Sequence, residues 1–252
     1  MYTYDRFAQY YDLEYGHKDD DIPFYLEIAS KYGSPILEIG VGTGRIAMPL
    51  IQAGYHVVGI DSSIQMLRIG KAKQKQLNTS IQKYLHLIAA DMRLFSLNQL
   101  FPVCIVPFRT FLHNLTQQDQ IRTLNCIKNS LAQNGILVID LFVPLYEILI
   151  KSGWEDTIPE EEFEGKKISV YIKVDHDPVM QLLKIKNTYN EILANGKSRQ
   201  TQSYMTYRYI FRYEMEILLK LTGFEILEIY SFFNNIPYNY YSGEMIFIAQ
   251  RQ

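Results

Sequence analysis

The run Pro35-Ile-Leu-Glu-Ile-Gly-Val-Gly-Thr-Gly-Arg45 constrains this chain more than any other stretch. An apolar β segment gives way to three glycines at every second position, and a helical pattern follows. A turn that tight needs positive φ or a very close backbone approach, which glycine supplies at least cost. The helix amino end that follows exposes N–H groups suited to a carboxylate or a phosphate. Two more apolar runs, Tyr55-His-Val-Val-Gly-Ile60 and Leu85-His-Leu-Ile-Ala-Ala90, are each followed by an acid, Asp61 and Asp91. Acids at successive strand tips beside a glycine turn predict a crevice for a nucleoside-bearing ligand.

The glycine spacing is Gly-x-Gly-x-Gly, whereas the dinucleotide fingerprint is Gly-x-Gly-x-x-Gly, and no Gly-Lys-Ser/Thr follows to make a phosphate-binding loop. Asp61 stands 21 residues after Gly40, at the end of the next strand, where a carboxylate accepts both hydroxyls of a ribose and repels a ribose phosphate. The plainer reading of Asp61 is a capping acid before Ser62-Ser63. Asp91 is an acceptor for an adenine amino group, with the Met92 N–H free to meet a ring nitrogen; its plainer reading is an ordinary turn acid.

Strand and helix alternate from residue 35 to 142, the doubly wound pattern. Ile136-Leu-Val-Ile-Asp-Leu-Phe142 is apolar almost throughout, as a strand covered on both faces must be. A seven-stranded, mostly parallel sheet with an antiparallel final strand at Met245–Ala249 is expected. Residues 1–34 read as a helical leader and active-site cover, with Phe7, Tyr10, Tyr11 and Tyr15 at helical spacing. Residues 35–149 and 211–252 form the ligand-binding α/β domain. Residues 150–210 read as an antiparallel β insertion laid over the crevice, with strands at Ile168–Val174, Leu182–Glu191 and Gln200–Tyr209 and a hairpin at Asn195-Gly196.

Composition narrows the classes. At 252 residues, a net charge of −2 and no dense basic run argue against a chain living on nucleic-acid backbones. Cys104 and Cys126 make neither a disulfide framework nor a CxxC site, and the five histidines are scattered, so no metal is expected. The amino terminus lacks the apolar stretch of a signal peptide and no run approaches a membrane span, which predicts a cytoplasmic protein with no membrane partner. The insertion either caps its own active site or contacts a second subunit of a homo-oligomer.

Four pieces together carry a resemblance: Leu37-Glu-Ile-Gly-Val-Gly-Thr-Gly-Arg45, Val57-Val-Gly-Ile-Asp-Ser-Ser-Ile-Gln-Met66, Asp91-Met92 and Leu131-Ala-Gln-Asn-Gly-Ile-Leu-Val-Ile-Asp140. The chain resembles the class I S-adenosylmethionine-dependent methyltransferases, in particular the small-molecule branch with amino-sugar and glycine-type N-methyltransferases. The resemblance implies S-adenosyl-L-methionine as cofactor and S-adenosyl-L-homocysteine as product. It lays Gly40, Gly42 and Gly44 along the methionine portion, gives Asp61 the ribose, places Ser62 and Met66 near the nucleoside, and frames the adenine with Asp91 and Met92. Glu38 supports the glycine turn. The aromatic leader closes over the methionine end, so the Tyr11 hydroxyl reaches the cofactor carboxylate or the incoming nucleophile.

The segment Val106-Pro-Phe-Arg-Thr-Phe-Leu-His113 follows the fourth strand and belongs at the mouth of the crevice. Phe108 is counted with the cofactor contacts. Arg109 is a candidate for a substrate carboxylate or for organising loops, and His113 for taking a proton; a structural ion pair and a packing histidine are the plainer readings. Because the methyl is already activated, an amine need only arrive neutral, whereas a phenol or alcohol needs a base. The expected reaction is methyl transfer to a nitrogen or oxygen of a small metabolite. Methylation of a protein or tRNA, a nicotinamide-dependent oxidoreductase and a noncatalytic S-adenosylmethionine-binding protein are the alternatives.

Overall fold

The computed structural model describes residues 3–163, 165–193 and 195–252. The first two residues of the expected leader lie outside this set. Helices α1 (Thr3–Tyr15) and α2 (Ile22–Tyr32) precede an alternating series: β1 (Ile36–Ile39), α3 (Ala47–Gln52), β2 (Val57–Asp61), α4 (Ile64–Gln76), α5 (Thr79–Gln82), β3 (Leu85–Ala89), β4 (Phe101–Val106), α6 (Gln117–Ser130) and β5 (Leu131–Phe142). After α7 (Tyr146–Leu149) come four long strands, β6 (Gly153–Phe163), β7 (Lys166–Asp177), β8 (Leu182–Ile192) and β9 (Ser198–Arg208). The chain closes with α8 (Arg212–Leu221), β10 (Phe224–Tyr230) and β11 (Glu244–Arg251).

Seven strands form one sheet in the order β10-β11-β5-β4-β1-β2-β3. β1 to β5 pair in parallel, and β11 runs antiparallel to both neighbours, as the sequence predicts. Successive side chains of a strand leave opposite faces, and both faces are buried here. Leu37, Ile39, Cys104 and Leu137 pack with Leu124 of α6 and Leu219 of α8. Ile36, Val103, Ile105 and Val138 pack with Phe24 of α2 and Leu50 of α3. A strand sandwiched this way has no polar face, which is why β5 reads as a continuous apolar run.

The insertion is a separate antiparallel sheet, β6-β7-β8-β9, in sequence order. It holds four strands where the sequence reading has three. Glu160-Glu161-Glu162 lies inside β6. This edge strand is largely exposed, carries a register shift between Ile158 and Glu161 and has Pro159 in that shift. Charge, proline and a bulge are how proteins protect an edge, and they also erase the alternation by which a strand is read. Asp175-His176-Asp177, beyond the strand end expected at Val174, continues β7.

Helix α1 joins the two sheets. Towards the parallel sheet, Asp5 accepts from the Ser63 hydroxyl at 2.7 Å. Asp12 accepts from the Thr43 hydroxyl at 2.9 Å and from Lys73 Nζ at 2.8 Å. Towards the insertion, the Tyr10 ring stacks on Tyr189 with centroids 3.8 Å apart and planes 5° apart. Tyr189 donates to Glu14 at 2.5 Å, and the Tyr10 hydroxyl donates to Glu191.

Candidate active site

The carboxyl tips of β1, β2 and β3, the segment after β4, helix α1 and strand β9 enclose a cavity of about 290 Å³. Tyr11, Gly40, Gly42, Asp61, Ser62, Met66, Asp91, Met92, Phe108 and His113 all line it. A larger groove of about 940 Å³ lies by His56, Val57 and Leu85, where β2 and β3 begin. Ligands of open α/β sheets bind at the carboxyl ends of the strands, so the smaller cavity is the candidate site.

The glycine turn is built as its sequence demands. Gly40 has φ +71, and a Cβ there would collide with Thr110 Cγ2; the turn and the segment after β4 touch because this residue has no side chain. Gly42 has φ +55 and faces Met66. Asp61 ties the turn to the next helix, with Oδ2 accepting from the Gly42 N–H at 2.9 Å and Oδ1 from the Ser63 N–H at 2.7 Å. Burial raises its pKa, against the lowering effect of those backbone donors. Ser63 caps α4, its hydroxyl accepting from the Met66 N–H at 3.2 Å. Ser63, the second member of the Ser62-Ser63 pair, is therefore the cap, and Ser62 faces the cavity.

Asp91 is held by Arg93. Arg93 donates to Oδ1 at 2.9 Å and to Oδ2 at 2.5 Å, and this guanidinium keeps the carboxyl below its usual range. The carboxylate is thus oriented by Arg93, which also lines the cavity.

At the opposite end, His113 Nε2 lies 3.0 Å from the Tyr4 hydroxyl, which is 3.3 Å from the Tyr207 hydroxyl. Burial pushes the His113 pKa down to about 4, so the ring is neutral at physiological pH. Burial also raises the phenols of Tyr4, Tyr11 and Tyr207. Phe108 and Arg109 both adopt left-handed backbone, with φ 51 and φ 64. The Phe108 N–H donates to Asp140 Oδ2 at 2.9 Å, and the Arg109 guanidinium pairs with Glu244 at 3.1 Å.

Three of the expected residues stand behind the cavity wall. Glu38 is buried, its pKa is pushed up to about 8 by burial, and its Oε2 has no hydrogen-bond partner. Gly44 packs against Met48. Arg109 reaches Glu244 and does not line the cavity. Of the aromatic residues after the parallel domain, Trp154 packs beside Val174, Leu183 and Tyr209 in the insertion, and Tyr241 is 79% exposed. Conversely, Tyr4, Thr110, Leu115, Met205 and Thr206 line the cavity without having been singled out. Thr110 was legible as the neighbour of Phe108; Met205 and Thr206 sit on an insertion strand whose register only the fold reveals. Among the described residues no cluster of three His, Cys, Asp or Glu is arranged for a metal ion, and no helix is long and apolar enough to cross a membrane.

The donor set fits an adenosyl group. Each Asp61 oxygen spends one acceptor position on a backbone N–H and keeps one, the number a ribose diol requires. The side-chain-free surface of Gly40 and Gly42 admits an extended chain along the turn.

Residues 36–135 match the methyltransferase domain family model. The cypemycin N-terminal methyltransferase of Streptomyces sp is 23% identical over 220 residues, 87% of this chain and 84% of that one. The chain spans about half the length of the first curated relatives it matches, 57% and 49%. Among solved structures, the CcbJ methyltransferase of Streptomyces caelestis superposes with a TM-score of 0.82 at 22% identity, covering 99% of this chain and 97% of that one. CalS10 of Micromonospora echinaspora, an amino pentose methyltransferase, gives 0.72 at 18% identity over 96% of each chain. The fold, the glycine turn with its strand-tip acids and the domain match agree: residues 36–135 of this chain carry an S-adenosylmethionine-dependent methyltransferase domain.

Proposed function

We propose that the chain transfers a methyl group from S-adenosylmethionine to a nitrogen of a small metabolite. The observation that carries the reading is the single cavity that brings the glycine turn, Asp61 and Asp91-Met92 together with a second end formed by Tyr4, Phe108, His113 and Thr206. Asp61 and the N–H-rich turn hold the ribose and methionine portions, and Met66, Met92 and Leu115 wall the nucleoside end. The bound donor supplies a methyl already activated by a sulfonium. What is left to the protein is alignment and the exclusion of water, and the covering helix α1 and strand β9 provide both.

Nitrogen is preferred over oxygen because of the groups at the acceptor end. A phenol or alcohol acceptor needs a base with a pKa near the working pH. His113 is too weakly basic at about 4, and the neighbouring tyrosines are kept neutral by burial. An amine that enters unprotonated brings its own lone pair, and His113 and the phenols then orient its N–H groups. The similarity to an amino pentose methyltransferase and to a cypemycin N-terminal methyltransferase agrees with an amine acceptor. The insertion, residues 150–210, serves as the substrate lid, since β9 supplies Met205 and Thr206 to the cavity. The enclosed cavity favours a metabolite over a folded protein or tRNA.

Calorimetric titration with S-adenosylhomocysteine tests the cofactor half, and mass-spectrometric screening of small amines for a 14 Da gain with S-adenosylmethionine tests the acceptor half, 14 Da being the roughly CH₂-sized increment of any methylation. No binding of either adenosyl ligand removes the reading; binding with methylation confined to hydroxyl acceptors transfers it to oxygen.

A further inference from the structure

Phe108 and Arg109 are consecutive non-glycine residues in left-handed backbone, at φ 51 and φ 64. Each such residue costs free energy that its surroundings must offset, and strain of this kind concentrates at functional sites. The structure shows what offsets it. Asp140, near the end of β5 and 2% exposed, accepts the Phe108 N–H through Oδ2 at 2.9 Å. The same turn presents Phe108 to the cavity while Asp140 itself lies outside the wall. On the far side of the ring, Tyr15 stands edge-on with centroids 4.9 Å apart and the Arg45 guanidinium lies 5.1 Å from the centroid.

A buried carboxylic acid is a costly way to accept one hydrogen bond. Among the described residues, Asp140 Oδ1 has no hydrogen-bond partner, and Glu244 Oε2 nearby has none either. An apolar residue would suit the packing of β5 better, as at its neighbours Ile139 and Leu141, which are fully buried. What an apolar side chain cannot do is accept from the backbone of a turn that must stay left-handed. We propose that Asp140 is a positioning residue of the methyl-transfer site, acting through the Phe108 N–H to hold the 108–109 turn so that the Phe108 ring forms the cavity wall. The inference rests on the proposed function for what the wall is for, but not for the turn itself.

The test separates the two. In a crystal structure of ligand-free Asp140→Ala, residues 108 and 109 leave the left-handed region and the Phe108 ring leaves the wall. In Asp140→Asn, whose amide oxygen accepts the same N–H, both stay. A left-handed turn retained in Asp140→Ala overturns the inference, whether or not the protein binds an adenosyl ligand. The second arm is a double-mutant cycle read by titration with S-adenosylhomocysteine. Asp140→Ala and Phe108→Ala each weaken binding about tenfold, and the double variant is no more than about threefold worse than Phe108→Ala, because residues acting through one contact are not additive. Asp140→Asn stays within about threefold of the parent, the range of a conservative change. Additive losses in the double variant, or an Asn variant as weak as Ala, would mean that Asp140 acts elsewhere and overturn the proposal.

Discussion

The two ends of the cavity are built in different ways. The nucleoside end is assembled from short sequence distances: the glycine turn, Asp61, Ser62 and Met66 fall within residues 40–66, each at a strand tip or the first turn of a helix. Its key contacts are backbone N–H groups on a carboxylate. The acceptor end is assembled from Tyr4 of α1, His113 after β4 and Thr206 of β9, and the Tyr4 hydroxyl ties His113 to Tyr207 of β9 across 109 and 203 residues. It is aromatic, buried and held by side-chain packing. On the proposed reading, one end holds a fixed ligand with rigid backbone, and the other is a lining that can be exchanged while the sheet stays the same.

The largest effect expected from breaking this contrast is at Asp61. Asp61→Ala strips acceptors from the Gly42 and Ser63 N–H groups as well as from the ribose. With hydrogen bonds to a charged group worth ~1.5–3 kcal/mol each, a loss of roughly 4 kcal/mol, about a thousandfold in S-adenosylhomocysteine affinity, is expected by titration. Met205→Ala at the other end changes that affinity by less than about threefold, since it removes side-chain packing at a site that can adjust. Equal losses from the two substitutions would erase the distinction between the ends.

The second effect is on acid stability and is read at His113 of the acceptor end. His113 has a folded pKa of about 4 against an ordinary 6.5, so the unfolded chain binds the extra proton first. Its contribution is complete above about pH 6.5 and is lost as the pH falls towards 4. A shift of this size corresponds to at most about 3 kcal/mol by linkage. Unfolding by urea at pH 7 and pH 4.5 checks the sign: His113→Phe should lose less stability than the parent over that interval. A parent and variant with parallel pH profiles would show that the imidazole is not buried as described. Asp140 runs the other way. Its pKa is raised to about 8 by burial first and by Glu244 next, so its contribution declines between pH 4 and pH 8.

This contrast also explains what the sequence disclosed. Gly40, Gly42, Asp61, Asp91 and the parallel order of the first five strands were legible because each depends on neighbours in the chain: a strand, a turn needing φ above zero, a helix start. The fourth insertion strand was not, since β6 is an edge strand interrupted at Pro159 and mostly exposed. Met205 and Thr206 were not, because which face of β9 meets the cavity depends on β8–β9 register and on how α1 seats against β9. Arg109 was legible as a residue at the crevice mouth, but the ion-pair partner that turns it away, Glu244, lies 135 residues on.

A third prediction concerns the element joining the ends. Tyr10→Ala removes the stack on Tyr189 and the donor to Glu191 while leaving Asp5 and Asp12 attached to the parallel sheet. Hydrogen exchange of α1 and of β8 around Tyr189 should quicken about thirtyfold, the equivalent of ~2 kcal/mol of local stability. Amides of β1, β4 and β5 should be unchanged. Uniform quickening across both sheets would show that α1 supports the whole fold and not the junction.

The smallest effect is expected at Arg109. Its ion pair with Glu244 is partly open to water, with side chains 41% and 22% exposed, and exposed pairs contribute less than about 1 kcal/mol. Arg109→Gln keeps a donor near Glu244 and gives up the guanidinium that lies 5.5 Å from the Phe142 ring centroid. Its midpoint of thermal unfolding should fall by no more than about 3 °C, and S-adenosylhomocysteine affinity should stay within about threefold. The reason is geometric: the backbone bond from Phe108 to Asp140 fixes the turn, and the ion pair only follows it. If Arg109→Gln weakens the cofactor as much as Phe108→Ala does, the guanidinium and not the buried acid holds the wall in place. The acceptor end would then rest on a solvent-screened contact that added salt weakens and the nucleoside end does not feel.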